Sequence, residues 1–287
     1  MRAGDVPVPS GARPRGDRPG EGDRLAGGDG RGGSSMLRPL AAVLYREGKI
    51  RATNLTFIFW DLFYPLGYLL VFGVGVTRAM GFTVPDLPID YNAFFLAGVL
   101  GMASFGIASN TAWSFFMDRD NGIFYEMLTY PMTRSQYLVG KVLFNLVVAL
   151  LQAAVTVFLA AAILDVPLVV SRMPLLLAAV VVGTAGWFFF YAIFALRIRR
   201  NDAFNTLTSI FYFAFLFASS MFYPVEPLPS PFREIAMANP ITWQVDVLRY
   251  ATVGVGDGGR IAIEGAAFVG FSVLTFAAAT LALRRQE

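Results

Sequence analysis

The sequence predicts an all-α membrane protein, and three observations carry that reading. Of 287 residues, 56% are hydrophobic and only 15% charged, with 27 phenylalanines and a mean hydropathy of +0.57, too apolar for a surface that faces water. Six runs, at 58–80, 94–117, 138–164, 174–196, 206–223 and 261–283, approach or exceed the roughly 20 apolar residues that cross about 30 Å of hydrocarbon as a helix. Lysine and arginine are shared unevenly between the connections. Leaving the first 35 residues aside, twelve lie on the side of the N-terminus and five on the other, which predicts both termini in the cytoplasm and a multi-pass place in the cell membrane.

Composition also excludes. There is no cysteine and no histidine, hence no disulfide, thiol nucleophile, Cys/His zinc site or imidazole base. The two lysines are Lys49 and Lys141. A phosphate-cradling Walker loop ends in Gly-Lys-Ser/Thr, whereas Gly140-Lys141 is followed by Val142 inside an apolar run. The chain is therefore not expected to be an enzyme or to hold a cofactor, and energy for any pumping must come from another polypeptide.

Residues 1–35 hold ten of the 28 glycines, six arginines, five acids and no aromatic residue, so they bury too little apolar surface to offset the entropy of ordering. They read as a disordered low-complexity tail before a membrane domain over 36–287. No apolar segment follows the early arginines as a secretory signal requires. Met36-Leu37-Arg38-Pro39 resembles an ordinary membrane-protein start, so the tail reads equally as an extension from a misplaced start codon. Next, Leu37, Leu40, Ala41, Leu44 and Tyr45 share one helical face and Arg38, Arg46 and Lys49 point elsewhere, the pattern of a helix lying in the headgroup layer.

Inside the six spans the acids avoid the middle: Asp61 and Glu264 lie near span ends and Asp165 just beyond one. A carrier coupled to protons or sodium usually keeps an ionisable group at bilayer depth, so ion coupling is disfavoured. Uncharged polar residues are present instead. Asn145, Gln152 and Thr156 share a face of the third span and Asn110 lies in the second; such side chains either bond helices together or line a path.

Two connections carry more information. On the cytoplasmic side, residues 117–136 keep charges at both ends around an apolar centre with Ile123, Phe124, Met127 and Leu128 at helical spacing and Pro131 as a stop, a short helix whose apolar face needs cover. After the fifth span, a proline-rich stretch leads to Asn239-Pro240, an N-cap followed by the residue suited to the first helical position. Two short outer helices are implied, near 232–238 and from Pro240, which either dip into the outer leaflet and return or form a structured external loop, with Asp246 and Arg249 three apart and able to pair.

In the order and spacing of these motifs, residues 37–285 resemble the membrane subunits of ABC type-2 exporters. The residues that carry the likeness are Asn121-Gly122 to Glu126-Met127-Leu128, Pro131-Met132-Thr133-Arg134 and Gly140-Lys141, then Phe222-Tyr223-Pro224, Leu228-Pro229, Asn239-Pro240-Ile241-Thr242 and Asp246-Val247-Leu248-Arg249. The resemblance implies a half-channel of six spans that pairs with a second permease subunit and docks a separate ATP-binding subunit, where ATP and magnesium act. It implies an ATPase-coupling loop of Gly122, Phe124, Tyr125, Glu126, Met127, Leu128 and Arg134, with Phe124, Met127 and Leu128 filling a groove on the partner. It further implies an outer gate of Glu226, Asn239, Pro240, Asp246 and Arg249, and a path lined by Asn110, Asn145 and Gln152. The expected cargo is amphipathic or hydrophobic, drug-like or else lipid or polysaccharide; no nucleic-acid partner is expected. The alternative is a six-helix channel or ion-coupled carrier.

Overall fold

The computed structural model describes residues 34–80 and 89–284; the tail lies outside these residues except for its last two positions. Among the described residues the fold is helical with no strand. Helix α1 (Ser34–Thr53) precedes a broken first span, α2 (Leu55–Ile58), a π-helical stretch (Phe59–Phe63) and α3 (Tyr64–Met80). Then come α4 (Tyr91–Asp120), α5 (Ile123–Met127), α6 (Arg134–Ile163), α7 (Met173–Arg197), α8 (Asn201–Phe217), α9 (Phe232–Met237), α10 (Pro240–Val253) and α11 (Gly258–Arg284).

Among the described residues, five segments are long and apolar enough to cross a membrane: Leu55–Gly75, Tyr91–Asp120, Arg134–Ile163, Val170–Arg197 and Gly258–Leu283. Most run past the windows drawn from sequence, because helices continue through terminal charges that find partners. The exception is the fifth expected span, 206–223, which is the 17-residue α8, about 26 Å long. Its helix begins five residues earlier and stops at Phe217. Carbonyls at its end are taken up by Asn239, whose Nδ2 donates to Phe215 O at 2.8 Å and Ala218 O at 2.6 Å, so the chain can leave the helix there without orphaned acceptors.

α4 is the core, buried along nearly its whole length between α3, α6, α7 and α10. Its run of Ala, Gly and Ser permits this by letting neighbouring backbones approach. At Gly98 an added Cβ would stand 2.4 Å from Met221 O, so the segment after α8 closes over α4 only because a side chain is missing.

α1 packs against α6 through Val43 and Glu47, both buried, while Tyr45 and Ala41 stay exposed. The apolar face expected from sequence is thus split: Leu40 lies beside Gly140 of α6 and Leu44 is half-buried, while Ala41 and Tyr45 are left open. Glu47 reads as a solvent residue in isolation and is buried here because Lys141 neutralises it.

Candidate functional site

Helix connectivity defines two ends. One carries α1, α5 and the starts of α6 and α8; the other carries α9, α10 and the starts of α4, α7 and α11.

At the α5 end, Gly122 adopts φ +77° and turns the chain from α4 into α5, a left-handed conformation that favours glycine. Phe124 then points inward. It is 1% exposed, packed edge-on against Phe115 and Tyr137 at ring distances of 5.5 and 5.3 Å. This corrects the expectation that Phe124 fills a groove on a partner: it fills one in its own chain. Met127 and Leu128 are half-buried and pack on the same core. The face left open is Tyr125, Glu126 and Tyr130. Arg134 opens α6 behind an N-cap in which Thr133 and Gln136 bond reciprocally.

Beneath α5 lies a cluster of three cations and three carboxylates. Lys141, with no exposed surface, places Nζ 2.8 Å from both Glu47 Oε1 and Asp118 Oδ2 and donates to Ser114 Oγ at 2.9 Å. Arg46 donates to both Asp118 oxygens at 2.6 and 3.1 Å, and the Tyr137 hydroxyl donates to Asp118. Burial opposes the Arg46 charge, but the hydrogen bonds and negative charge of Asp118 outweigh it and hold the guanidinium above its usual pKa. One turn further in, Arg51 pairs with Asp61 and donates to Asn145 Oδ1, while Asn145 Nδ2 donates to Lys141 O at 2.7 Å. Asp61 accepts in turn from Asn110 Nδ2 at 2.9 Å. The π-helical stretch carries Asp61 into this position.

Asn110 opens onto a cleft between the first span and α8, floored by α4. Its upper cavity of about 310 Å³ is lined by Asn54, Thr56, Trp60, Asn110, Asn205 and Thr208 among others; a second, of about 230 Å³, follows along the same helices between Tyr64, Tyr68, Tyr212, Phe213 and Phe222. Of the expected path residues, Asn110 reaches the cleft. Asn145 and Gln152 lie on the buried face of α6, Gln152 donating to Thr156 Oγ1 at 2.9 Å.

The α10 end holds the second cluster. Asp246 meets Arg249 Nη1 at 2.5 Å and Arg260 Nη2 at 3.4 Å and accepts from Ser220 Oγ at 2.7 Å. Arg249 also donates to Ser220 O at 2.7 Å and lies 3.9 Å from the Phe94 ring centroid. Arg260 reaches Glu226 at 2.9 Å and Glu264 at 2.7 Å. Together with Phe94 and Pro224, the side chains of Glu226, Asp246, Arg249 and Arg260 surround a cavity of about 160 Å³. Asn239 accepts from Ile241 N at 3.0 Å with Pro240 as the first helical residue, so it starts α10 and ends α8 at once. Of the residues expected at the outer gate, Glu226, Asp246 and Arg249 stand in this cluster, while Asn239 and Pro240 form the junction between α8 and α10.

A family model described as ABC-2 type transporter matches residues 39–253. The chain belongs to the ABC-2 type transporter family. More distant relatives agree: the provisionally named transport permease ycf38 of Cyanophora paradoxa is 24% identical over 65% of this chain and 64% of its own length. That of Porphyra purpurea is 23% identical over the same shares, and that of Pyropia yezoensis 22% over 72% of this chain and 74% of its own. The chain thus spans just under two thirds of the first two relatives.

Within this ABC-2 membrane domain, sequence reasoning missed Arg46, Glu47, Arg51, Asp118, Tyr137 and Lys141 at one end and Ser220 and Arg260 at the other. One signal was available: Asp118 and Lys141 sit inside or against long apolar runs where an unpaired charge is costly, so each implies a partner.

Proposed function

We propose that this chain is the membrane-spanning subunit of an ATP-driven exporter, forming half of a path for an amphipathic or hydrophobic substrate: a drug-like compound, or a lipid or polysaccharide. In this reading α8 is the remaining span, α9 and α10 re-enter the outer leaflet as the gate, and a second permease subunit closes the cleft. A separate ATP-binding subunit, holding ATP and magnesium, docks on the cytoplasmic face of α5.

The observation that carries the reading is the bonded route from α5 to the cleft. Phe124 packs edge-on against Tyr137; Tyr137 bonds Asp118; Asp118 holds Lys141 and Arg46; and Lys141 O, Asn145, Arg51 and Asp61 continue to Asn110. A push on α5 has a rigid, mostly buried line to the cleft wall, and such packed networks favour discrete shifts over gradual ones. A second observation supports ATP drive over ion coupling. Each buried carboxylate among the described residues, Glu47, Asp61, Asp118, Asp246 and Glu264, already faces a cation, which leaves none free to carry a coupling ion.

The test is retention of the ATP-binding subunit. Tyr125→Ala with Glu126→Arg changes only the open face of α5, where Tyr125 is 53% exposed, and is expected to cut co-purification of that subunit about tenfold with the chain still folded in the membrane. Should the wild-type chain, purified from its native membranes, bring down no ATP-binding protein, the reading is wrong.

A further inference from the structure

A basic pocket opens at the α5 end and shares no lining residue with the cleft. It measures about 810 Å³ and is lined by Arg119, Asp120, Leu196, Arg197, Arg199 and Ala282, with Tyr125 of α5 beside them. Its depth follows from its walls. Arg119 and Asp120 end α4, Leu196 and Arg197 end α7, and Ala282 lies in the last turn of α11. Three membrane-crossing segments therefore finish here, which puts the pocket at the level of the lipid headgroups. From its rim an apolar stripe leads back into the span: Leu281, next to Ala282, and Leu274, seven residues earlier on the same face of α11, are both exposed.

The charges in this pocket are not balanced. Three arginines meet one carboxylate, the exposed Asp120, and among the described residues none of the three forms an ion pair with it or with any other acid. The cations of the two buried clusters, in contrast, each have a carboxylate. Arg119 is fixed in place: it donates through Nη1 and Nη2 to Ala195 O and Ile198 O and lies 5.2 Å from the Phe116 ring centroid. It thus takes up carbonyls at the end of α7, but neutral acceptors leave its charge uncancelled. Arg197 and Arg199 follow on the exposed side. Topology asks only that basic residues lie at this end of the spans. It does not ask that three converge on one concave surface, where their mutual repulsion is stronger than on an open one.

We propose that this pocket binds the phosphate of an anionic phospholipid. Arg197 and Arg199 hold the phosphate oxygens, Arg119 supplies a fixed charge behind them, and an acyl chain lies along Leu281 and Leu274 of α11. Guanidinium groups match phosphate in a two-point geometry that suits this role, and a basic pocket between spans at headgroup depth has the chemistry of a lipid site. A soluble phosphate would meet the same arginines but gain nothing from α11, which separates the two sources. The site needs neither ATP nor cargo and stands apart from the exporter reading.

The experiment uses the full chain alone, in phosphatidylcholine nanodiscs that contain a small fraction of phosphatidylglycerol with a diazirine in one acyl chain. Crosslinks are mapped by mass spectrometry. Labels are expected on the last turns of α7 and α11, displaced by unlabelled phosphatidylglycerol and untouched by millimolar glycerol 3-phosphate. Arg197→Gln with Arg199→Gln changes two exposed side chains and should cut this labelling about tenfold at an unchanged melting temperature. Asp120→Asn removes the opposing charge and should raise it about twofold to threefold. As a control, Arg38→Gln with Lys49→Gln takes the same charge from α1 and should leave the labels in place. An equal loss in the α1 variant would reduce the effect to general attraction between a basic surface and anionic lipid. Displacement by glycerol 3-phosphate would assign the pocket to a soluble phosphate, and absence of labels from both helix ends would leave it to an acidic protein surface. Each of these three outcomes overturns the proposal.

Discussion

At the α5 end, three cations and three carboxylates are balanced, almost fully buried, and drawn from α1, the π-helical stretch, α4 and α6. At the α10 end, two cations face three carboxylates around a cavity, and the outermost members are open to water: the side chains of Glu226 and Arg260 are 60% and 34% exposed. The first arrangement has no cheap way to open, since separating any pair strands a buried charge. The second has a graded edge at which pairs can exchange with water. The difference suits a rigid transmission element at one end and a movable closure at the other.

The comparison breaks first at Lys141. Replacing it by Met keeps the apolar stem and removes the sealed cation between Glu47 and Asp118, leaving the two buried carboxylates to share Arg46, which is expected to cost about 3 kcal/mol. Thermal unfolding in detergent would report this as a large fall in melting temperature. Adding Glu47→Gln to Lys141→Met removes one of the stranded charges and should recover part of the loss. A melting temperature within a degree or two of wild type for the single variant would mean that the buried cluster is not the rigid element described.

Arg249→Met comes next. The buried guanidinium holds Asp246, Ser220 O and the face of Phe94, but Asp246 keeps Arg260 and Ser220 Oγ, so the expected loss is smaller, about 2–3 kcal/mol. Assembly should survive while ATP turnover by the assembled complex loses its response to substrate. An unaltered response would separate α10 from gating and leave it a packing element.

What the sequence disclosed and what it hid divide along the same line. The helices were legible from apolar runs, and α10 from Asn239-Pro240, because both signals are local. Asp246 and Arg249 were legible as a pair for the same reason, lying three apart on one helix. Arg260, fourteen residues beyond Asp246, has no local mark. Glu47 and Lys141 are 94 residues apart, and each looks like a surface residue until the other is placed beside it. Phe124 was misread outward because a five-residue helix carries too few positions for periodicity to say which face is covered, and the covering ring, Tyr137, comes from the next helix.

Arg260→Gln is the smallest effect and the sharpest test of the graded edge. Its guanidinium is a third exposed and its contact with Glu226 lies largely in water, so the stability change should stay within about 1 kcal/mol. The charge change is another matter. Asp246, Glu226 and Glu264 are then left with Arg249 alone, and their mutual repulsion acts across a cavity that solvent ions can reach, where separations of this size are screened at moderate salt. The variant should therefore favour the open arrangement at low ionic strength and return towards wild-type behaviour as salt rises, read as basal ATP turnover by the assembled complex from 50 to 500 mM salt, while Arg260→Lys shows little of either effect. Lys141→Met, whose charges are sealed from solvent, should show no such salt rescue. If both variants respond to salt alike, the two clusters do not differ in their access to water, and the division between a sealed end and an openable one fails.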